Sequence, residues 1–304
     1  MPAAMSRRDL LAALAVVVIW GTNFVAMKIG LRELTPFQMG AGRYLFALLP
    51  LVAFIRPPKL AWRWVLLYGL CQGVGQFGLL FLALRAGMSA SLASVLLQTQ
   101  VFFTALLGVA LLREQVGRAL QAGMLLAALG LACFGINYAV SGAGEVTIAG
   151  LLLVLAAAAM WAASNIVVRL ARRAAPAFDV LGFMVWSSLV PIAPFCLLSW
   201  WADPVAARAH VSTLAWQTWA ALAYLGWAAT ILGYALWTGL LKRHPANRIA
   251  PFSLGVPVVG ITAGMLLLGD RITAWQWAGI AMIVASLAMV VFGGRWLKNG
   301  ATPG

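Results

Sequence analysis

The chain has 304 residues, of which 63% are hydrophobic and 9% are charged. Water-soluble domains carry about 25% charged residues, so this composition argues against a soluble globular protein and indicates a chain that faces lipid. The net charge of +14 does not indicate nucleic-acid binding, because the basic residues lie in short gaps between long apolar runs.

Ten apolar runs, separated by short polar gaps, are each long enough to cross a bilayer. A helix needs about 20 residues to span a hydrocarbon core of about 30 Å. We therefore predict an all-α membrane protein with ten transmembrane helices, over residues 10–30, 37–55, 64–84, 89–112, 117–139, 148–169, 178–200, 215–241, 246–268 and 274–293.

The basic residues predict the orientation of these helices. If the N-terminus lies in the cytoplasm, fifteen of the 21 Lys and Arg residues fall on the cytoplasmic side and five on the other side, with Arg43 inside the second run. Cytoplasmic loops carry the excess of basic residues in membrane proteins. The count predicts that both termini lie in the cytoplasm, and we expect the protein to lie in an inner membrane.

An internal repeat divides the chain into two halves, residues 6–140 and 146–298, of five predicted helices each. Gly108, Glu114 and Gly123 recur 156 positions later as Gly264, Asp270 and Gly279; Trp20, Asn23 and Lys28 have counterparts about 141 positions later in Trp161, Asn165 and Arg169. Because five is odd, the second half enters the membrane from the opposite side. We predict two inverted repeats around a central cavity, as in many secondary transporters.

The chain resembles the EamA family of the drug/metabolite transporter superfamily over about residues 6–298. The resemblance rests on Trp20-Gly21-Thr22-Asn23-Phe24, on Arg113-Glu114 and on Gly269-Asp270. Further stretches, among them 98–103, 185–187 and 233–237, are most similar to members that export O-acetylserine and cysteine, and the chain is also similar to aromatic amino-acid exporters. The resemblance implies ten helices and amino-acid export.

Polar side chains inside the predicted helices are candidates for the transport site, because they are costly in hydrocarbon. Gln76 and Gln100 are the leading glutamines, and Gln100 shares a helix face with Thr104. Gln98 is about 200° from Gln100 around a helix, so we expect only one of these two to face a cavity. Either an interhelical hydrogen bond or a position in the cavity wall would account for each glutamine.

Aromatic residues form a second group of candidates. Trp227, Thr230, Tyr234 and Trp237 are spaced to form one stripe on the eighth helix, which predicts either a packing face or a cavity wall. Trp20 and Trp161 correspond across the repeat, and so do Asn23 and Asn165. We predict that substrate is bound by Trp20, Asn23, Arg43, Gln76, Gln100, Trp161, Asn165, Trp186, Tyr234 and Trp237.

Arg43 is the cation that lies well inside a predicted helix. Two interpretations fit it. Its long side chain could extend to the nearer membrane surface, or its guanidinium could bind a substrate carboxylate through two parallel hydrogen bonds. In contrast, all seven acidic residues fall near predicted helix ends: Asp9, Glu33, Glu114, Glu145, Asp179, Asp203 and Asp270.

Two prolines, Pro251 and Pro257, interrupt the ninth predicted helix, and Pro191 and Pro194 interrupt the seventh. Each internal proline removes a backbone hydrogen bond and favours a kink. A kink can serve as a gate or give a fixed shape, and we assign Pro251 and Pro257 to gating.

No cofactor or metal site is predicted. Gly73 to Gly78 fits the G-x-G-x-x-G pattern but lies inside an apolar run without a βαβ unit, and the chain has no P-loop. The predicted function is a secondary exporter of neutral amino acids and related small metabolites, acting as a monomer or weak dimer; an exporter of drugs or other small solutes is the alternative. An embedded enzyme would need a cluster of His, Asp or Glu at depth, and a channel would need a symmetric filter.

Overall fold

The computed structural model describes residues 5–141, 147–176 and 178–299, and throughout these ranges the regular structure is helical. The predicted loop residue Glu145 and the predicted start of the second half at residue 146 lie outside them. The main helices are α1 Arg7–Gly30, α2 Pro36–Leu48, α3 Trp62–Arg85, α4 Ala90–Leu112, α5 Arg118–Ser141, α6 Ile148–Ala174, α7 Val180–Ala202, α8 Trp216–Arg243, α9 Ala250–Leu268 and α10 Ala274–Asn299.

Among the described residues, nine helices are long and apolar enough to cross a membrane. Many leucines and tryptophans on their outer faces are exposed, such as Leu197 at 69% and Leu266 at 79%, while most charged residues lie near the helix ends. In water such surfaces would aggregate, so the chain is a multi-pass membrane protein.

Helix α2 is shorter than predicted. It begins after Thr35, whose side chain forms a reciprocal capping box with Gln38, and ends at Leu48 instead of near residue 55. The physical reason is Pro50: a residue before proline avoids the helical region, and Leu49 is extended with ψ 140°. The 13 residues of α2 rise only about 20 Å, and a single 3₁₀ turn, Leu51–Ala53, follows them.

Several helices change their winding along their length. Stretches of π-helix occur in α3 (Gly69–Phe77), α8 (Tyr224–Leu232) and α9 (Gly264–Leu268), and 3₁₀ turns occur at Leu97–Thr99 and Ala250–Leu254. Helix α7 breaks into a turn before Pro191 and resumes at Ile192. Such irregular segments are frequent at functional sites because they redirect side chains.

The two predicted halves pack against each other along several helices. Helix α1 packs against α8 and α9, α2 packs against α7 and α8, and both α3 and α4 pack against α6. The last helix of each half, α5 and α10, pair with each other through glycines: a Cβ on Gly279 would lie 2.8 Å from the carbonyl oxygen of Gly130. Small residues allow this close backbone approach between membrane helices.

Candidate functional site

A central cavity of about 320 Å³ lies among eight of the ten helices, with α5 and α7 outside its wall. Its lining combines polar side chains with aromatic and aliphatic ones, as in typical small-molecule sites. Nine of the ten residues predicted to bind substrate line this one cavity: Trp20, Asn23, Arg43, Gln76, Gln100, Trp161, Asn165, Tyr234 and Trp237.

Arg43 occupies the buried side of the cavity and is only 2% exposed. Its Nη1 donates to Asn23 Oδ1 at 3.2 Å, and its Nη2 donates to Thr230 Oγ1 at 3.0 Å. The guanidinium carbon lies 3.8 Å from the centre of the Phe77 ring, a cation–π contact. The side chain therefore stays inside the molecule and does not extend to a membrane surface, so the first interpretation of Arg43 is wrong.

Two polar atoms of this wall are buried and have no hydrogen-bond partner among the described residues: Arg43 Nε and Gln76 Oε1. Gln76 is 2% exposed and lies on the π-helical stretch of α3, directly before Phe77. A buried polar group without a partner costs free energy, and native structures rarely leave one without a reason. These two atoms mark the part of the cavity wall where the hydrogen bonding within the protein is incomplete.

A hydrogen-bonded group joins α4 to α6 on the opposite wall. Asn165 Nδ2 donates to Gln100 Oε1 at 2.9 Å and to Thr104 Oγ1 at 3.2 Å, and Thr104 Oγ1 also donates to Gln100 Oε1 at 3.3 Å. Gln100 and Thr104 thus share a face, as their spacing predicted. These bonds hold the amides in fixed orientations at the cavity surface.

Gln98 also lines the cavity, and the expectation that only one of Gln98 and Gln100 could do so is wrong. The 3₁₀ turn Leu97–Thr99 explains this, since its winding differs from the 100° per residue that the estimate assumed. Gln98 Nε2 donates to Ser253 O at 3.4 Å, which connects α4 to α9.

The aromatic stripe of α8 is divided by the π-helix. Tyr234 and Trp237 line the cavity and pack on Trp20, with ring centres 5.2 and 5.5 Å away. Thr230 holds Arg43. Trp227 instead lies 48% exposed and donates to Leu49 O at 2.8 Å, because the extra residue per π-turn rotates it off the stripe.

Trp186 is the predicted substrate-binding residue that the cavity does not include. Its Nε1 donates to Ile55 O at 3.0 Å, and its ring packs edge-on against Trp62 at 5.8 Å. It lies on α7, which stays outside the wall. Trp186 belongs to the stretch 185–187 that resembles the family. In the structure it joins α7 to the loop after α2.

Phe77 is a cavity residue that the sequence analysis missed. It supports the guanidinium of Arg43 and also packs against Tyr44 and Phe81. Its sequence signal is indistinguishable from that of any phenylalanine in an apolar run. Only the fold, which brings α2 beside α3, reveals its position under a cation.

Pro251 and Pro257 flank the cavity. Pro251 lies in the 3₁₀ turn whose residues Ser253 and Leu254 line the wall, and Pro257 is buried beside Val256, another lining residue. Both prolines are therefore placed where a bend in α9 would change the shape of the cavity.

The model of the EamA-like transporter family matches residues 8–136 and 148–292. A Salmonella typhimurium protein named "Probable amino-acid metabolite efflux pump" is 40% identical over 304 residues, covering 99% of this chain and 100% of the relative. An Escherichia coli protein of the same name is 39% identical over 298 residues, covering 97% and 98%. A solved structure titled "Crystal structure of protein" has a TM-score of 0.62 at 19% identity, covers 97% of this chain and 100% of its own, and supports the fold alone.

Proposed function

Because the chain belongs to the EamA-like transporter family, we propose that it exports amino acids and their small metabolites across the bacterial inner membrane by alternating access. The observation that carries this proposal is the central cavity, whose polar wall comes from both halves of the chain. Two bacterial relatives named as amino-acid metabolite efflux pumps support the substrate class. The nine predicted residues that line the cavity bind the substrate. Helix α9 bends at Pro251 and Pro257 to open or close the cavity.

The proposed architecture has ten crossings, with α2 as a short tenth one. Hydrogen bonds at the two ends of the molecule support this count. Thr35 Oγ1, before α2, donates to Asp203 Oδ2 at 2.6 Å, whereas Ile55 O, after α2, accepts from Trp186 at the opposite end of α7. The chain between residues 35 and 55 thus passes from one end of the bundle to the other.

The inverted repeat is supported by matching helix ends. Glu114 N donates to Gly108 O at 3.2 Å, and its repeat counterpart Asp270 N donates to Gly264 O at the same distance. The residue before each acid, Arg113 or Gly269, is left-handed. If the chain makes ten crossings, these two ends lie on opposite sides of the membrane, and the repeat units 6–140 and 146–298 are then related by an axis in the membrane plane. We also propose that both termini are cytoplasmic and that the protein is a monomer or weak dimer.

Purified protein in liposomes tests the proposal. Vesicles preloaded with unlabelled serine, cysteine or O-acetylserine should accumulate the labelled compound by exchange, at least several-fold above empty liposomes. The matched comparison is Gln100→Leu, which removes the acceptor of Asn165 and lowers exchange of the same compounds. Exchange no higher than in protein-free liposomes, for a panel of neutral and aromatic amino acids, would refute amino-acid export.

A further inference from the structure

The central cavity holds a buried positive charge that none of the described acidic residues neutralises. Arginine side chains stay protonated in proteins, so Arg43 carries a positive charge. Its hydrogen-bond partners Asn23 and Thr230 are both neutral. Glu145 lies outside the described ranges, and the other six acids have partners at the helix ends: Asp9 with Arg243, Glu33 with Thr218, Glu114 with Arg169, Asp179 with the amide of Gly182, Asp203 with Thr35 and Asp270 with Ser91.

The rest of the described cavity wall is neutral as well. The ring of Phe77 lies against Arg43, and the other polar and aromatic groups that line the same cavity, among them Gln76, Tyr234, Trp20 and Trp237, are uncharged. A buried cation without a counter-ion is strongly unfavourable, so the site favours a ligand that brings one negative charge. Arg43 Nε is a buried donor without a partner among the described residues, so the hydrogen bonding of this cation is incomplete within the protein itself.

A substrate ammonium finds no comparable partner here. It could contact Gln76 Oε1, which accepts no hydrogen bond, or the faces of Trp20 and Trp237. Such neutral contacts offset only part of the cost of removing an ammonium from water. A zwitterion in this cavity leaves one net positive charge, whereas a monocarboxylate leaves none.

We propose that this site selects its substrates by the carboxylate alone, through Arg43, and that the α-amino group is not required. The substrate class is then small monocarboxylates with an uncharged or masked 2-position, such as 2-hydroxy acids and N-acylated amino acids, together with the amino acids themselves. The inference rests on the proposed export function and specifies which chemical group of the substrate the cavity recognises.

Three compounds with the same hydroxymethyl side chain separate the two charges: serine, glycerate, which has a hydroxyl in place of the amine, and ethanolamine, which lacks the carboxylate. In the liposome exchange assay we expect glycerate to be carried at a rate equal to or above that of serine. Ethanolamine should be carried at least tenfold more slowly. All three are polar, so passive leakage is low.

Arg43→Gln supplies the matched variant, and Arg85→Gln supplies its control. Arg85 is an exposed cation at the end of α3 that donates to Leu31 O, outside the cavity. Arg43→Gln should lower exchange of both serine and glycerate at least tenfold, while Arg85→Gln leaves both within twofold of the wild type.

The compound series decides the proposal even if Arg43→Gln does not fold. Serine exchange without glycerate exchange would overturn carboxylate-only recognition and leave amino-acid export intact. Ethanolamine exchange at the rate of serine would also overturn it, because the carboxylate would then be dispensable. If none of the three compounds, nor any amino acid, exchanges above protein-free liposomes, the export function itself fails.

Discussion

At the residue scale, the chemistry of the cavity depends on Arg43, the one cation among the described residues that line it. Asn23 Oδ1 and Thr230 Oγ1 fix the guanidinium of Arg43 between α1 and α8, and Phe77 supports its face. Both oxygens are neutral acceptors, and at Asn23 an aspartate carboxylate would have nearly the same shape. Arg43 therefore keeps its charge available for a ligand instead of forming an internal ion pair.

Asn23→Asp tests this point with almost no change in shape. The new carboxylate would neutralise Arg43 from within, so the cavity would lose its preference for an anionic group. We expect exchange of serine to fall at least tenfold while the melting temperature in detergent stays equal or rises, because a charge-assisted hydrogen bond replaces a neutral one.

The comparison variant is Asn23→Leu, which leaves Arg43 Nη1 without an acceptor. A buried unsatisfied donor costs about 1–3 kcal/mol, so this variant should melt at a lower temperature than Asn23→Asp. Wild-type exchange by Asn23→Asp would show that the charge of Arg43 takes no part in transport.

At the element scale, close glycine contacts decide how α5 and α10 pack. A Cβ on Gly279 would lie 2.8 Å from Gly130 O and 2.6 Å from the Phe134 ring. The backbone oxygen cannot move away without separating the helices. This pair of helices lies on the side of the cavity where α10 contributes Leu287 and Val290 to the wall.

Gly279→Ala should therefore destabilise the protein by about 1–3 kcal/mol through overpacking. Gly135→Ala is its control, because a Cβ there meets nothing within 4 Å and alanine favours a helix over glycine by about 0.5–1 kcal/mol. Denaturant unfolding in detergent, followed by tryptophan fluorescence, measures both. Equal stability of the two variants would contradict the assigned glycine contact.

At the scale of the whole molecule, the repeat gives each end of the bundle a corresponding acidic group. Asp270 Oδ2 accepts hydrogen bonds from Ser91 N at 2.9 Å and Ser91 Oγ at 2.8 Å, which joins the end of α9 to the start of α4. Its repeat counterpart Glu114 forms an ion pair with Arg169 at 2.8 Å, which joins the end of α4 to α6. The two links lie at opposite ends.

We expect each of these two links to keep the cavity closed at its own end of the molecule. Asp270→Asn weakens one and should expose the cavity from the Asp270 side; Glu114→Gln weakens the other and should expose it from the Glu114 side. The measurement is labelling of Val101→Cys, a cavity residue, by a membrane-impermeant maleimide from each side, with Cys71, Cys133 and Cys196 replaced. If both variants increased maleimide labelling from the same side, the proposal that the two links close opposite ends of the cavity would be contradicted.

Much of this protein follows from its sequence alone. Apolar run length and the charges between runs predict membrane helices, and nine of the ten runs coincide with long apolar helices among the described residues. The offsets of 156 and 141 residues predict corresponding positions in two halves. These features are determined locally, because the bilayer sets the helix length and the cost of buried charge at every position.

The tertiary structure decided what a regular helix could not predict. Two segments depart from the 100° per residue of a regular α-helix: the 3₁₀ turn that brings Gln98 to the cavity and the π-stretch that removes Trp227 from it. The surroundings of Arg43 also come from the fold, since Asn23, Phe77 and Thr230 belong to three other helices. A buried cation's function depends on which groups surround it, and long-range packing alone brings those groups together.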